Sequence, residues 1–472
     1  MVFSAPVFLF LFLPGVLALY FATPPRGRNL SLLVASLVFY GWGEPRFLAI
    51  MLVSALFNYA FALAIAAAAR PRIVLAGAVA VNLGILAVYK YGDFVVINVD
   101  AVLERFGVPA IAPPGLALPL GISFFTFHAL SYLIDVYRRR VPAQRNPLAV
   151  ALYIALFPQL IAGPIVRYAT IAPEIAQRHT TWEDIVSGIR RFVVGLGKKV
   201  LIANTLAAPA DAIFGLPPSE LTAGAAWFGV ACYSLQIYFD FSGYSDMAIG
   251  LARVFGFHFP ENFCYPYVSR SLTEFWRRWH ISLSTWFRDY LYISLGGNRR
   301  GPARVYLNLV IVFVFCGLWH GASWAFLVWG LYHGAFLVAE RITRGDRGRG
   351  RWRPLAHVYA LLVIMLGWVL FRAPSLTHAW DMLVVMAGFG GAEVPRWVWI
   401  YLDGERALAF AAGVIGSMPA LALLERWHAR VASGAAQGAV SLARAGCLLL
   451  VLLGSAIRLA AGTHNPFIYF RF

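Results

Sequence analysis

Charge is what this sequence has least of. Only 13% of its 472 residues are Asp, Glu, Lys or Arg, while 60% are hydrophobic, and a soluble domain carries roughly 25% charged residues. With a mean hydropathy of +0.70, the composition excludes an ordinary soluble enzyme and identifies an integral membrane protein. Acidic residues are the scarcer sign: 22 Asp and Glu stand against 39 Lys and Arg, a net charge of +17. In a soluble chain that excess would point to nucleic acid. Here Arg and Lys gather in short loops, where they set topology, so no nucleic-acid partner is expected; attraction of an anionic donor is the other reading. Cys232, Cys264, Cys316 and Cys447 have no paired spacing, which argues against a disulfide framework and a zinc site. No G-x-S-x-G elbow, Walker loop, dinucleotide fingerprint or H-E-x-x-H stands in a supporting context. Internal repeats and low-complexity linkers are also missing.

What is present is apolar runs of spanning length from end to end. Roughly ten to thirteen crossings fit at about 20 residues each. An open sheet cannot satisfy its backbone in lipid, so the expected fold is an all-α polytopic transmembrane bundle, with residues 1–472 as a single membrane domain. Residues 5–22 are apolar without a basic segment before them, which reads as a retained first span rather than a cleaved signal peptide. With the N-terminus outside, Arg26 and Arg28 fall inside. Spans near 29–43 and 46–69 return Arg70 and Arg72 to that side. A span at 73–91 leads to an outer loop, 92–114, whose only Lys or Arg is Arg105. The span at 116–137 comes back to Arg138, Arg139, Arg140 and Arg145.

Several spans carry polar groups. In 121–137, His128, Tyr132 and Asp135 recur at i, i+4 and i+7 and share a face, as an internal polar seam or a pathway lining. Residues 147–166 end in F-P-Q-L-I-A-G-P-I, where two prolines break or kink a helix. The stretch 184–208 sets Arg190, Arg191, Lys198 and Lys199 among apolar positions and suits an amphipathic or tilted element. In 226–252, Asp240 and Asp246 lie near Gln236, Ser242 and Ser245. Each carboxylate costs at least about 2.5 kcal/mol at membrane depth unless paired, and the Arg-rich segment that follows is the expected partner.

That segment, 266–304, opens with a capping box at Ser271 and Glu274. Its body, F-W-R-R-W-H-I-S-L-S-T-W-F-R-D-Y-L-Y-I, reads as one interfacial helix carrying Arg277, Arg278, His280 and Arg288. It stops at Gly296-Gly297-Asn298, followed by Arg299 and Arg300. A second basic break, 341–353, holds six Arg residues. If both breaks are cytoplasmic, the chain between them is a hairpin with limbs of about 24–29 Å at 1.5 Å per residue, 304–319 and 322–340. Its apex is Gly317 to Ala322. Further spans are expected near 355–372, 405–424 and 443–461, with a short apolar piece at 379–390.

His320 sits at that apex among apolar neighbours, where a group that titrates near neutrality is either a hydrogen-bonded core residue or a functional one. His280, forty residues earlier, is a possible companion. Two histidines do not make a metal site, whereas a general base acting on a hydroxyl needs no metal. Cys316, one helical turn before His320, makes a Cys–His dyad conceivable.

F-D-F-S-G-Y-S-D-M-A-I-G (239–250), T-E-F-W-R-R-W-H-I-S-L-S-T-W-F-R-D-Y-L-Y-I-S-L-G-G-N (273–298) and G-L-W-H-G-A-S-W (317–324) together resemble the membrane-bound O-acyltransferase superfamily. More narrowly, they resemble its bacterial alginate O-acetyltransferase branch. F-F-T-F-H-A-L-S-Y-L-I-D-V-Y-R (124–138), F-P-Q-L-I-A-G-P-I (157–165) and the ending F-I-Y-F-R-F extend the resemblance over nearly the whole chain. It implies a ring of helices around a thin centre, with interfacial and re-entrant helices. It also implies catalytic roles for His320 and His280, an acyl thioester such as acetyl-CoA as co-substrate, and no bound cofactor. His320 would be the base, and His280 would orient the donor or stabilise the oxyanion. Arg277, Arg278, Arg299 and Arg300 are candidates for donor phosphates, and Asp240, Asp246 and His128 for a polar tunnel lining. The implied setting is the bacterial inner membrane, with the N-terminus periplasmic, a polysaccharide acceptor, a periplasmic acetyltransferase and the export assembly.

Two alternatives stand beside this reading. One keeps the chemistry and changes the acceptor, to cellulose, another exopolysaccharide or teichoic acid by D-alanylation. The other is a transporter using Asp240, Asp246 and His320 as a proton relay, against which the lack of inverted repeats counts.

Overall fold

The structure, a computed structural model, describes residues 1–344, 353–389, 402–420 and 434–462. The aromatic ending and most of the second basic break lie outside the described residues, as does the end of the span expected at 405–424. Every regular element among the described residues is helical. Six helices are long and apolar enough to cross a membrane, Pro45–Ala67, Pro71–Phe106, Trp182–Phe214, Pro302–His320, Pro354–Arg372 and Gly438–Ala460, and shorter apolar helices accompany them. The chain is a multi-pass membrane protein of helical-bundle type.

Two compact units are distinguished. The first comprises residues 1–189, 248–260 and 321–323. Within it, helices Leu48–Ala67 and Pro71–Leu103 are tied by a buried reciprocal amide pair: Asn58 Nδ2 donates to Asn82 Oδ1 at 3.1 Å and Asn82 Nδ2 to Asn58 Oδ1 at 2.9 Å. Helix Pro71–Leu103 runs twelve residues further than the span expected at 73–91, so the loop expected at 92–114 is largely helix. Two of its acidic residues are acceptors on the helix. Asp93 receives the Gly115 N–H and Asp100 the Ile111 N–H, both at 2.9 Å, which pins the return segment.

Helix Ile122–Tyr137 is buried nearly all round. Its three in-register polar residues part company. Tyr132 accepts the Gln144 N–H at 2.9 Å and Asp135 pairs with Arg140 at 3.4 Å, whereas His128 packs on Tyr153 with ring centroids 5.7 Å apart. The span expected at 147–166 is divided into Pro147–Ala155 and Phe157–Leu160. The division falls at Leu156, which leaves Pro158 in the first turn of the second helix, where its missing N–H would have had no helical partner.

The second unit comprises residues 190–247, 261–320 and 324–472. The basic segment is helical from Trp182 through Gly197, a π-helical turn Lys198–Ala203 and Asn204–Phe214. It crosses helix Ala223–Val254 at two facing glycines: a Cβ on Gly195 would lie 2.6 Å from the Gly243 carbonyl, and one on Gly243 2.7 Å from the Gly195 carbonyl. That approach brings the cations to the carboxylates. Arg191 and Lys198 reach Asp246 at 2.9 and 2.7 Å, and Lys199 reaches Asp240 in a pair buried on both sides. Asp240 and Asp246 are therefore neutralised by the basic segment that precedes them, not by the Arg-rich one that follows.

Candidate active site

Helices Pro302–His320 and Trp324–Arg344 form the expected hairpin, joined by only three residues. Glycine permits their contact. A Cβ on Gly317 would stand 2.2 Å from the Phe326 carbonyl oxygen, and one on Gly330 2.3 Å from that of Phe313. Small residues are the usual means of close helix approach in lipid. His320 is the last residue of the first limb, 6% exposed. Its imidazole lies in an aromatic cage, with ring centroids 4.9 Å from Trp319, 5.1 Å from Trp329 and 5.0 Å from Phe371.

The Arg-rich segment begins as its sequence suggests. Ser271 Oγ accepts the Glu274 N–H at 3.0 Å, while the Glu274 carboxylate takes the N–H of Arg270, one residue earlier than in a full capping box. The single helix expected beyond it is broken. Leu272–Arg278 ends and Ile281–Trp286 begins, and His280 stands at the break with φ 42° and ψ 55°. A non-glycine residue there is strained by the order of 1–3 kcal/mol, and the surroundings must hold it.

Asn262 supplies much of that hold. It is fully buried. Its backbone carbonyl accepts the Ile281 N–H at 2.9 Å. Its side-chain Oδ1 accepts the Ser282 N–H at 3.2 Å and the Ser282 hydroxyl at 2.9 Å, and its Nδ2 donates to Ser245 Oγ at 3.0 Å. His280 Nδ1 lies 3.2 Å from the same Oδ1, and His280 Nε2 is buried with no hydrogen-bond partner. Sequence reasoning passed over Asn262. Its position eighteen residues before His280, in a stretch without helical period, gave no signal.

Trp319 brings the two histidines into one environment. Its ring centroid is 5.9 Å from that of His280 and 4.9 Å from that of His320; Phe241 closes the other side of His280 at 4.6 Å. Of the four arginines expected near a donor, Arg278 is engaged by Glu274 at 3.0 Å and by the Cys264 carbonyl at 3.1 Å. Arg277, Arg299 and Arg300 are exposed. Asp240 and Asp246 share the unit with both histidines, while His128 belongs to the other one. Among the described residues, no group of three or more His, Cys, Asp or Glu side chains converges as a metal-binding set would.

A neutral imidazole in an apolar, water-poor cage can accept a proton from a hydroxyl and return it. The family model for membrane-bound O-acyltransferases matches residues 37–377, a range that contains both histidines. A probable alginate O-acetylase of Azotobacter vinelandii is 42% identical, with all of both chains covered. One of Pseudomonas putida is likewise 42% identical over the whole of both. A peptidoglycan O-acetyltransferase of Helicobacter pylori is 37% identical, covering 84% of this chain and 81% of its own.

Proposed function

The chain belongs to the membrane-bound O-acyltransferase family, and on that premise we propose that it passes an acetyl group from a cytoplasmic thioester donor to O-acetylate an exopolysaccharide, alginate above all. End-to-end similarity at 42% identity to relatives named alginate O-acetylase carries this reading. Membership of an acyltransferase family sets aside transport without bond formation.

In the proposed reaction the acceptor hydroxyl attacks the thioester carbonyl carbon as His320 takes its proton. The C–S bond breaks, and the proton passes to the departing thiolate, so no net proton is gained or lost. Catalysis then rests on positioning and on a dry site. The cage of Trp319, Trp329 and Phe371 supports the second condition, since it leaves His320 6% exposed. Acetyl-CoA is the proposed donor. In this reading the exposed Arg277, Arg299 and Arg300 attract its phosphates from the cytoplasmic side, while Arg278 is engaged by Glu274. The proposed location is the bacterial inner membrane with a periplasmic N-terminus, beside a periplasmic acetyltransferase and the polymer export machinery.

The test is His320→Ala in membranes supplied with labelled acetyl donor and polymer. Loss of transfer at unchanged protein level is expected, and normal acetylation would remove His320 from the chemistry. The Helicobacter relative favours a second acceptor, peptidoglycan. Running the assay with both polymers decides between them, because each leaves label in a different one.

A further inference from the structure

Asn262 holds more than the backbone beside His280. An Asn amide has one end that only accepts and one that only donates, and the two are told apart by their partners. The Ser282 backbone N–H, 3.2 Å away, can only donate, so the atom facing it is Oδ1. The opposite end donates to Ser245 Oγ. An imidazole nitrogen 3.2 Å from that same Oδ1 must carry a hydrogen. His280 is therefore protonated at Nδ1, and in the neutral ring its lone pair is on Nε2, the nitrogen left buried and without a partner.

We propose that Asn262 is a positioning residue that fixes His280 in the Nδ1–H form and presents Nε2 as a hydrogen-bond acceptor for a sugar hydroxyl other than the one that attacks. This rests on the acyl-transfer reading above and deepens it. A neutral His280 in this form cannot donate from Nε2 to an oxyanion; it anchors the sugar through a second hydroxyl, so that the attacking one, whose proton goes to His320, is held in line. A buried nitrogen with no partner costs free energy, and a substrate O–H in that place removes the deficit. The rings packed on His280, those of Phe241, Phe263 and Trp319, are uncharged. On the neighbouring helix, Asp240 is paired with Lys199, and Asp246 with Arg191 and Lys198. The Asn262 amide meets the ring at Nδ1.

Two measurements test this. Nitrogen NMR of 15N-histidine-labelled protein, with the His280 signal identified by its loss in His280→Gln, reads the tautomer without any need for activity. An Nδ1–H form in the wild type that is lost in Asn262→Leu is expected; an Nε2–H form in the wild type overturns the proposal. Transfer kinetics give the second reading. Asn262→Leu lowers kcat by about 10–100-fold, the size of effect known for removing the partner that orients a metal-bound histidine. Asn262→Asp keeps the acceptor and adds a negative charge, so transfer is restored relative to Asn262→Leu and the acid limb of kcat/KM moves up by about one pH unit or more. A merely structural role would leave that limb where it is, and an unmoved limb in an active Asn262→Asp enzyme counts against the assignment. Wild-type membranes that transfer no acetyl group would refute the function, and the NMR result would still decide the tautomer.

Discussion

Thr273 is bound twice by Glu340: the carboxylate accepts its backbone N–H at 3.1 Å and its hydroxyl at 2.9 Å. The second carboxylate oxygen takes the Leu272 N–H at 2.7 Å. Two orphan donors of the helix Leu272–Arg278 are thus satisfied by a side chain from the second limb of the hairpin. The limb that follows His320 thereby fixes where the segment leading to His280 begins.

Replacement of Glu340 by Gln tests that link at nearly constant volume. One end of the amide is then a donor facing donors, and the charge-assisted character is lost. The expected loss is about 1–3 kcal/mol of stability, seen as a lower melting temperature of the detergent-purified protein, together with reduced acetyl transfer. An unchanged melting temperature would mean that the helix start is held by other contacts.

The hairpin predicts a graded response along its glycines. Gly317→Ala and Gly330→Ala each place a Cβ within 2.3 Å of a backbone carbonyl oxygen, at 2.2 and 2.3 Å. The limbs cannot stay as close, and His320 must move with them. Both variants should lose most activity and part of their thermal stability. Gly334→Ala meets the Phe313 Cβ at 3.4 Å and the Val310 Cα at 3.5 Å, ordinary contacts, and should behave like the wild type. Equal effects at the three positions would refute the close crossing.

The hairpin was legible because loop charge and length constrain it: two basic breaks enclose limbs that match its observed helices. The Ser271 cap was legible for a similar reason, since a local hydrogen bond leaves a local pattern. The break at His280 left none. Trp279-His280-Ile281 contains neither Gly nor Pro, and the left-handed conformation is imposed by Asn262 from eighteen residues away. The carboxylate partners failed in the same manner. Asp240 and Asp246 visibly needed cations, but only the Gly195–Gly243 crossing decides which basic segment supplies them.

The Lys199–Asp240 pair separates structural from functional need. Lys199→Met strands a buried carboxylate, at a cost of about 3–5 kcal/mol, and should nearly abolish folded protein in membranes. Lys199→Met combined with Asp240→Leu removes both charges and should recover most of the folded yield. If the recovered double variant still acetylates polymer, Asp240 serves the bundle. Recovery of fold without transfer would make Asp240 part of the polar lining.

His280 gives a stability signature in acid. It lies in the connector between helices Ala223–Val254 and Pro302–His320, outside the membrane-spanning helices, and burial pushes its imidazole from the ordinary 6.5 down to about 3. The unfolded chain takes up a proton at this ring as pH falls through about 6.5, while the folded protein refuses it until about 3. Stability contributed by the neutral ring is therefore fully present above pH 6.5 and is lost as pH falls between those values, by up to about 1.4 kcal/mol per pH unit. His280→Asn removes this one proton from the balance and leaves the carboxylates that dominate acid unfolding as they were. Melting temperatures of the two proteins, followed from pH 7 to about pH 4.5, should fall more steeply in the wild type. Parallel curves would mean that the folded protein accepts a proton at His280 near neutrality, and the ring would then sit in a wetter site than the cage of Phe241, Phe263 and Trp319 describes.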